Sequence, residues 1–338
     1  MDTCYILLIP SEIINEIIDK NNILPTRDKM YFISTCRTFF ETIKIYNLHS
    51  KFIDNNTLAQ LRFQNITSLN LDKNKKINNL LYLTCLSHLS IKYNSLGQNE
   101  INNITNLKIL NVTGNRRITN IIHLPNLIRL SASNSSIKQD SINILTNLTC
   151  LSIHGYNDIR SISHLTNLTL LKIGNFNRIG QNEINTLINL RFLNIENNTY
   201  ITNISHLSKL VYLKASQTSI KQDSINPLTN LTSLYIHQNN HITCISHLTN
   251  LILLKAGYDN NRIGQDSIDK LFNLTDLDIY NNIHITSISH LTNLRHLEIS
   301  GSKCRINQND ISNLFFLVSL NAEWNNKITS LTHLTNLQ

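Results

Sequence analysis

The 338-residue sequence is short of the residues that most soluble domains use freely: 8 glycines, 4 prolines, 5 alanines, 3 valines and 1 tryptophan. No glycine belongs to a Gly-x-x-x-x-Gly-Lys-Ser/Thr run, and no serine to a Gly-x-Ser-x-Gly elbow, which excludes two common catalytic loops. The scarcity of Val, Ala and Gly also argues against an ordinary mixed α/β enzyme. No apolar run approaches the length of a bilayer span, so no membrane segment is expected. The six cysteines (Cys4, Cys36, Cys85, Cys150, Cys244 and Cys304) include no Cys-x-x-Cys pair, and no charged leader with an apolar core precedes them. They are expected to be reduced thiols of a cytoplasmic or nuclear protein that is not secreted. Eleven Asn-x-Ser/Thr sequons then read as by-products of a repeated Asn-Leu-Thr phrase, as at Asn147, Asn167 and Asn230.

What is abundant is Leu (51), Ile (50) and Asn (52). These residues are periodic. Leu231-x-x-Leu234-x-Ile236-x-x-Asn239-x-x-Ile242-x-x-Ile245-x-x-Leu248 is followed by Leu251, which opens the next unit. Opening residues run from Ile66 through Leu86, Leu107 and Leu127 to Leu317 and Leu337, at spacings of 20 to 23 residues. Thirteen complete units and the start of a fourteenth fill residues 66–338, alternating between a 20-residue type and a longer one. The pattern resembles the leucine-rich repeat. Leu-x-Leu alternation implies a short strand with one face inward, and successive strands pair in parallel about 4.8 Å apart. The Asn after each strand turns the chain, at Asn74, Asn94, Asn115, Asn198, Asn239, Asn282 and Asn325, with Tyr156, Phe176, Thr218 and Ser302 replacing it elsewhere. The 20-residue type suits an extended or 3₁₀ return. In the longer type, phrases such as Ile220-Lys-Gln-Asp-Ser-Ile225 suggest a short helix capped by Asp or Ser. The expected fold is an α/β leucine-rich-repeat horseshoe, with a parallel sheet on its concave side and alternating helical and 3₁₀ or extended convex segments.

Residues 1–48 precede the repeats and read as amphipathic helices; residues 49–65 then bridge to the first repeat. Ile9-Pro10-Ser-Glu12-Ile13-Ile14-x-x-Ile17-Ile18, with Asp28-Lys-Met30 and Ile33-Ser-Thr-Cys36-Arg37-Thr-Phe39-Phe40, resembles an F-box. The phrase departs from that family in its extra residues at Asn21 to Pro25 and in lacking a late Trp. The resemblance implies a three-helix α-helical module that docks on a Skp1-like adaptor of a cullin ubiquitin ligase, with Ile9, Pro10, Ile13, Ile14 and Ile17 as adaptor contacts. The alternative is that these helices only cap the open end of the solenoid.

Chemistry-bearing clusters are few, and neither catalytic activity nor a cofactor is expected. His237-Gln-Asn-Asn-His241 has metal-like spacing but spans a strand-to-turn junction, where its rings diverge. His123, His164, His206, His247, His290 and His333 recur every second unit, about 10 Å apart, too far for one ion to bridge. They read as turn residues bonding to backbone or facing solvent. Charge is uneven: residues 66–220 hold 15 basic and 6 acidic side chains, residues 221–338 hold 8 and 9. Lys75, Lys76, Arg116 and Arg117 should form a local basic rim able to attract an anion, an acidic partner or nucleic acid. No aromatic residue interleaves with them as a base-stacking platform, so a nucleic-acid partner is not expected. The concave face is the stronger candidate. Its early outward positions are small (Asn70, Ser90, Asn111, Ser131, Ser152). From residue 190 they become large or charged: Phe192, Tyr212, Lys214, Tyr235, His237, Lys255, Tyr258, Asp278, Tyr280, Glu298 and Trp324. Aromatic side chains of this kind commonly anchor protein interfaces. An unidentified protein target is therefore expected to bind this face of a chain that is monomeric apart from its partners.

Overall fold

The structure, a computed structural model, describes residues 47–49, 54–58, 66–174, 177–258 and 261–338. The proposed adaptor contacts Ile9, Pro10, Ile13, Ile14 and Ile17 lie outside the described residues, as does the F-box-like module apart from its last two positions. The described chain forms two compact units. One runs to Ser152 and includes Tyr156–Ile159; the other comprises Ile153–Gly155 and Arg160–Gln338.

Each unit is a solenoid turn repeated. In the first, β1 (Asn47–His49), β2 (Ser68–Asn70), β3 (His88–Ser90), β4 (Ile109–Asn111), β5 (Arg129–Ser131) and β6 (Cys150–Ser152) pair in parallel in sequence order. In the second, the same holds for β7 (Leu170–Lys172), β8 (Phe192–Asn194), β9 (Tyr212–Lys214), β10 (Ser233–Tyr235), β11 (Leu253–Lys255), β12 (Asp276–Asp278), β13 (His296–Glu298) and β14 (Ser319–Asn321). Every strand is three residues long with a leucine at its centre, so the leucines stack on one face and their neighbours point to the other. Parallel pairing starts earlier than the expected boundary at residue 66, because Leu48 is in register with Leu69. Ile45-x-x-Leu48 carries that signal in the sequence.

Short helices follow: α1 (Asn55–Leu58), α2 (Gln98–Ile101) and α3 (Gln139–Asn143) in the first unit, then α4 (Gln181–Ile184), α5 (Gln222–Ile225), α6 (Gln265–Ile268) and α7 (Gln308–Ile311). From α2 onward they stand in the longer repeats, while the 20-residue repeats return without one. Their capping differs from expectation. Gly97, Lys138, Gly180, Lys221 and Gly264 hold the N-cap positions and supply no side-chain bond, and Asn307 alone of these six caps through its side chain. Asp and Ser sit inside the helix, where Ser224 and Ser267 donate to the carbonyls of Thr202 and Thr243 in the preceding repeat, both at 3.1 Å.

The core is a stack of identical layers. Leu210, Leu213, Ala215, Ile220, Ile225 and Leu228 of one repeat are all fully buried, as are Leu231, Leu234, Ile236, Ile242, Ile245 and Leu248 of the next. Each such Leu or Ile contributes about 1.5–3 kcal/mol by leaving water. Polar ladders run beside them. Asn239, fully buried, donates to the Ile220 carbonyl (3.3 Å) and accepts from the His241 (2.9 Å) and Ile242 (3.3 Å) amides. In the repeats that open at Leu168, Leu251 and Leu294 this slot falls to Asn177, Asn261 and Cys304, all buried, so Ser302 does not hold it; Phe176 lies outside the described residues. The extra one or two residues of those repeats enter just ahead of the slot and shift it. Thr218 does replace Asn as expected, and its hydroxyl donates to the Ala215 carbonyl at 2.8 Å.

Candidate functional site

The open face of the second unit's sheet is built by the two residues that flank each central leucine. Because strands are in register, Asn194, Lys214, Tyr235, Lys255, Asp278, Glu298 and Asn321 form one row across β8–β14. Phe192, Tyr212, Ser233, Leu253, Asp276, His296 and Ser319 form the row beside it. Rings pack within and between these rows: Phe192 on Tyr212 with centroids 5.9 Å apart, and Tyr212 on Tyr235 at 5.4 Å. The Lys214 ammonium lies 4.4 Å from the Tyr235 ring centre, a cation–π contact. Burial, together with the adjacent Tyr235, pushes the Tyr212 phenol well above its usual range, so it is a neutral hydroxyl at physiological pH.

A polar cluster continues the strip. His237 Nε2 lies 3.5 Å from Asp278 Oδ2, and Lys255 Nζ lies 3.8 Å from the same oxygen. The Gly257 amide donates to His237 Nδ1 at 3.1 Å, so the neutral ring carries its proton on Nε2, facing the carboxylate. A side chain at Gly257 would meet Asp278 Oδ1 and the Tyr280 amide nitrogen at 3.0 Å, so glycine lets the carboxylate close over this strand. Burial is the largest influence on both partners, holding His237 below its ordinary 6.5 and Asp278 above its ordinary 3.8 despite their mutual attraction. Edge-on contacts wall the cluster, His237 with Tyr258 at 5.7 Å and Tyr258 with Tyr280 at 5.1 Å. Ser216 has a buried hydroxyl without a partner, but both His237 nitrogens are engaged elsewhere and neither is left to activate it. Among the described residues no group of three or more His, Cys, Asp or Glu is arranged to hold a metal ion. The cluster is a charged patch walled by aromatic rings.

The structure thus brings Phe192, Tyr212, Lys214, Tyr235, His237, Lys255, Tyr258, Asp278 and Tyr280 into one strip. Glu298 adjoins it, accepting from the Asn321 amide at 2.7 Å and the Ser300 backbone at 3.0 Å. Tyr258 and Trp324 are not strand positions: they occupy the left-handed turn after the strand, with φ of 78° and 63°. Trp324 is the most exposed of these rings, at 74%. In the first unit, Lys75, Lys76, Arg116 and Arg117 are all exposed on turns. Arg117 Nη1 donates to the Ser95 carbonyl at 3.0 Å, which ties it to its neighbouring repeat.

The histidine row has a structural place. His123, His206, His290 and His333 bond through Nε2 to the carbonyls of Ile101, Ile184, Ile268 and Ile311, the last residues of α2, α4, α6 and α7, at 3.0–3.2 Å. Sequence reasoning missed a glutamine ladder. Gln222 Oε1 accepts from the Thr243 and Cys244 amides (both 2.9 Å) while Nε2 donates to the Cys244 carbonyl at 2.7 Å. Gln98, Gln181, Gln265 and Gln308 repeat the arrangement. The signal was the recurring Gln at the fourth position after the shifted Asn or its substitute, as in Thr218 and Gln222 or Asn261 and Gln265.

No protein-family model matches the chain, and no curated protein matches it by sequence. Solved structures do match in fold. An internalin (inlF) from Listeria monocytogenes superposes with a TM-score of 0.60 at 24% identity, over 82% of this chain and 87% of that one. The functional domain of InlJ, also from Listeria monocytogenes, gives 0.58 at 23%, over 86% of this chain and 65% of that one. A leucine-rich-repeat protein of Leptospira interrogans gives 0.55 at 21%, over 88% and 82%. At these identities the likeness is one of fold: this is a leucine-rich-repeat solenoid with a parallel sheet. No helix among the described residues is long and apolar enough to cross a membrane.

Proposed function

We propose that the chain is a protein-binding module whose partner docks on the open sheet face of the second unit, over β8–β13. The observation that carries this is the registered strip of aromatic and charged side chains, Phe192 to Tyr280, on a face that no other described part of the unit covers. Rigid rings offer large contact area at low entropic cost, and the flanking charges select and orient a partner. Replacing Phe192, Tyr212 and Tyr258 by Ala should abolish partner retention without altering the cooperative unfolding of the repeats. Retention unchanged in that variant would place binding elsewhere.

The finer reading is a substrate-recognition subunit of a Skp1–cullin–F-box ubiquitin ligase. It is supported by the Ile9-Pro10 to Ile18 phrase ahead of leucine-rich repeats, an order of segments that suits an adaptor-binding end and a target-binding end. Pull-down with a eukaryotic Skp1 tests it: the wild-type chain should enrich Skp1 over an Ile13→Asp, Ile14→Asp variant. Equal recovery would leave residues 1–48 as a cap of an interaction scaffold with no ubiquitin role. A lesser reading is anion or nucleic-acid binding through Lys75, Lys76, Arg116 and Arg117, supported by their exposure on the turns of alternate repeats. It predicts a salt-dependent affinity that is lost when all four are neutralised.

A further inference from the structure

Strand register makes the open face of β7–β11 two straight rows. Leu170, Phe192, Tyr212, Ser233 and Leu253 are successive partners, apolar but for Ser233; Lys172, Asn194, Lys214, Tyr235 and Lys255 are the other row. The second row thus sets an ammonium group on every alternate strand. Successive cations stand about 10 Å apart, at two strand spacings, and the rows are separated by two residues, about 7 Å. Beyond β11 the face turns acidic, with Asp276 and Asp278 on β12 and Glu298 on β13.

We propose that the occupant of this face is an amphipathic α-helix of a partner protein, lying across the strands. Its apolar stripe covers Phe192, Tyr212 and Leu253, and its acidic side chains, seven residues apart, meet Lys172, Lys214 and Lys255. This rests on the protein-binding reading above and adds the partner's conformation and charge. The four strand steps from β7 to β11 span about 19 Å, the length of about 13 helical residues. Helical residues i and i+7 share a face and lie about 10.5 Å apart, which matches the repeat of the cations. Three residues of an extended polyproline chain rise about 9.3 Å and match it too. Backbone pairing separates the two. The sheet's own amides are used between strands, as in Ala215 to the Tyr235 carbonyl and Ile236 to the Lys255 carbonyl, both 2.8 Å. An extended chain pressed on these rings would bury unpaired N–H and C=O groups, whereas a helix pairs its own. The carboxylates of Asp276 and Glu298 set the polarity, since a helix N-terminus carries partial positive charge and its C-terminus suits the Lys172 end. Lys255 shares its charge with Asp278, so Lys172 and Lys214 carry the selection for acids.

The test is selection of random displayed peptides of about 16 residues, enough for the span, on the full chain. Enriched sequences should show apolar residues at i, i+3, i+4 and i+7 with Asp or Glu seven apart, and synthetic copies should gain helical circular dichroism on binding. Lys172→Glu with Lys214→Glu should weaken binding by about tenfold or more with unchanged thermal unfolding, and peptides carrying Lys in place of the acids should restore it. Selected peptides that need Phe192 and Tyr212 but are extended, proline-rich or indifferent to the lysine reversal would overturn the helix and leave the protein-binding reading intact. Peptides indifferent to Phe192→Ala and Tyr212→Ala would overturn both.

Discussion

At Lys73 the backbone turns left-handed, with φ of 59°, immediately before the buried Asn74. The same happens at Asn197, Gln238, Asn281 and Trp324, each just ahead of a slot asparagine. A non-glycine residue there carries about 1–2 kcal/mol of strain. The Lys73 side chain is exposed, so Lys73→Gly should raise stability by roughly 0.5–1 kcal/mol and Lys73→Val should lower it, read as opposite shifts of a urea midpoint. The slot itself is more demanding. Asn239→Ala leaves a buried carbonyl and two amides without their partner and should cost about 2–4 kcal/mol, against less than about 0.5 for exposed Asn240→Ala. His237 makes a pH prediction. Its folded pKa is below 6.5, so its neutral ring stabilises the fold above pH 6.5, and that contribution is lost as pH falls through the folded value. Asp278 runs the other way: raised above 3.8, its contribution is present below that pH and lost as pH rises through its folded value. An NMR titration of the His237 ring should have its midpoint below 6.5, and His237→Gln should flatten part of the stability loss below that pH. A midpoint at or above 6.5 would contradict the burial argument. Individual slots were only partly legible in the sequence, because a fixed count from the opening leucine misplaces Asn177, Asn261 and Cys304 wherever extra residues enter ahead of them.

The elements are legible from period alone, their connections less so. Leu-x-Leu alternation places every strand from β2 to β14 because a three-residue strand with one buried face leaves no other register. The Gln-Asp-Ser-Ile phrases predict the helices of the longer repeats but not their caps. Capping preferences are those of helices that end in solvent; here the first-turn side chains of α5 and α6 bond to neighbouring repeats instead. Gln222 is the clearest case, since its amide joins α5 to the return segment at Thr243 and Cys244. Gln222→Ala should cost about 1 kcal/mol and speed hydrogen exchange at those two amides. Gln222→Glu keeps the acceptor and should fall between. If exchange at Thr243 and Cys244 stayed at the wild-type rate, the glutamine ladder would have no part in joining repeats.

For the molecule as a whole, core and surface obey different rules. Buried positions repeat because each layer packs on a copy of itself, and that repetition made the solenoid readable. Exposed positions face no such constraint. In the row after the central leucine their change from Ser90, Asn111 and Ser131 to Lys214, Tyr235 and Lys255 is visible in the sequence, but the pairing of His237 with Asp278 across two strands is not, because it depends on the small Gly257 between them. The partner is written in that surface as shape and charge only. Affinity purification with mass spectrometry tests the central claim most directly, comparing the full chain with its Phe192→Ala, Tyr212→Ala, Tyr258→Ala variant at matched folding. Proteins retained by the wild type should be lost from this variant and kept by one altered at Lys75, Lys76, Arg116 and Arg117. The same proteins retained by the aromatic variant would contradict the claim.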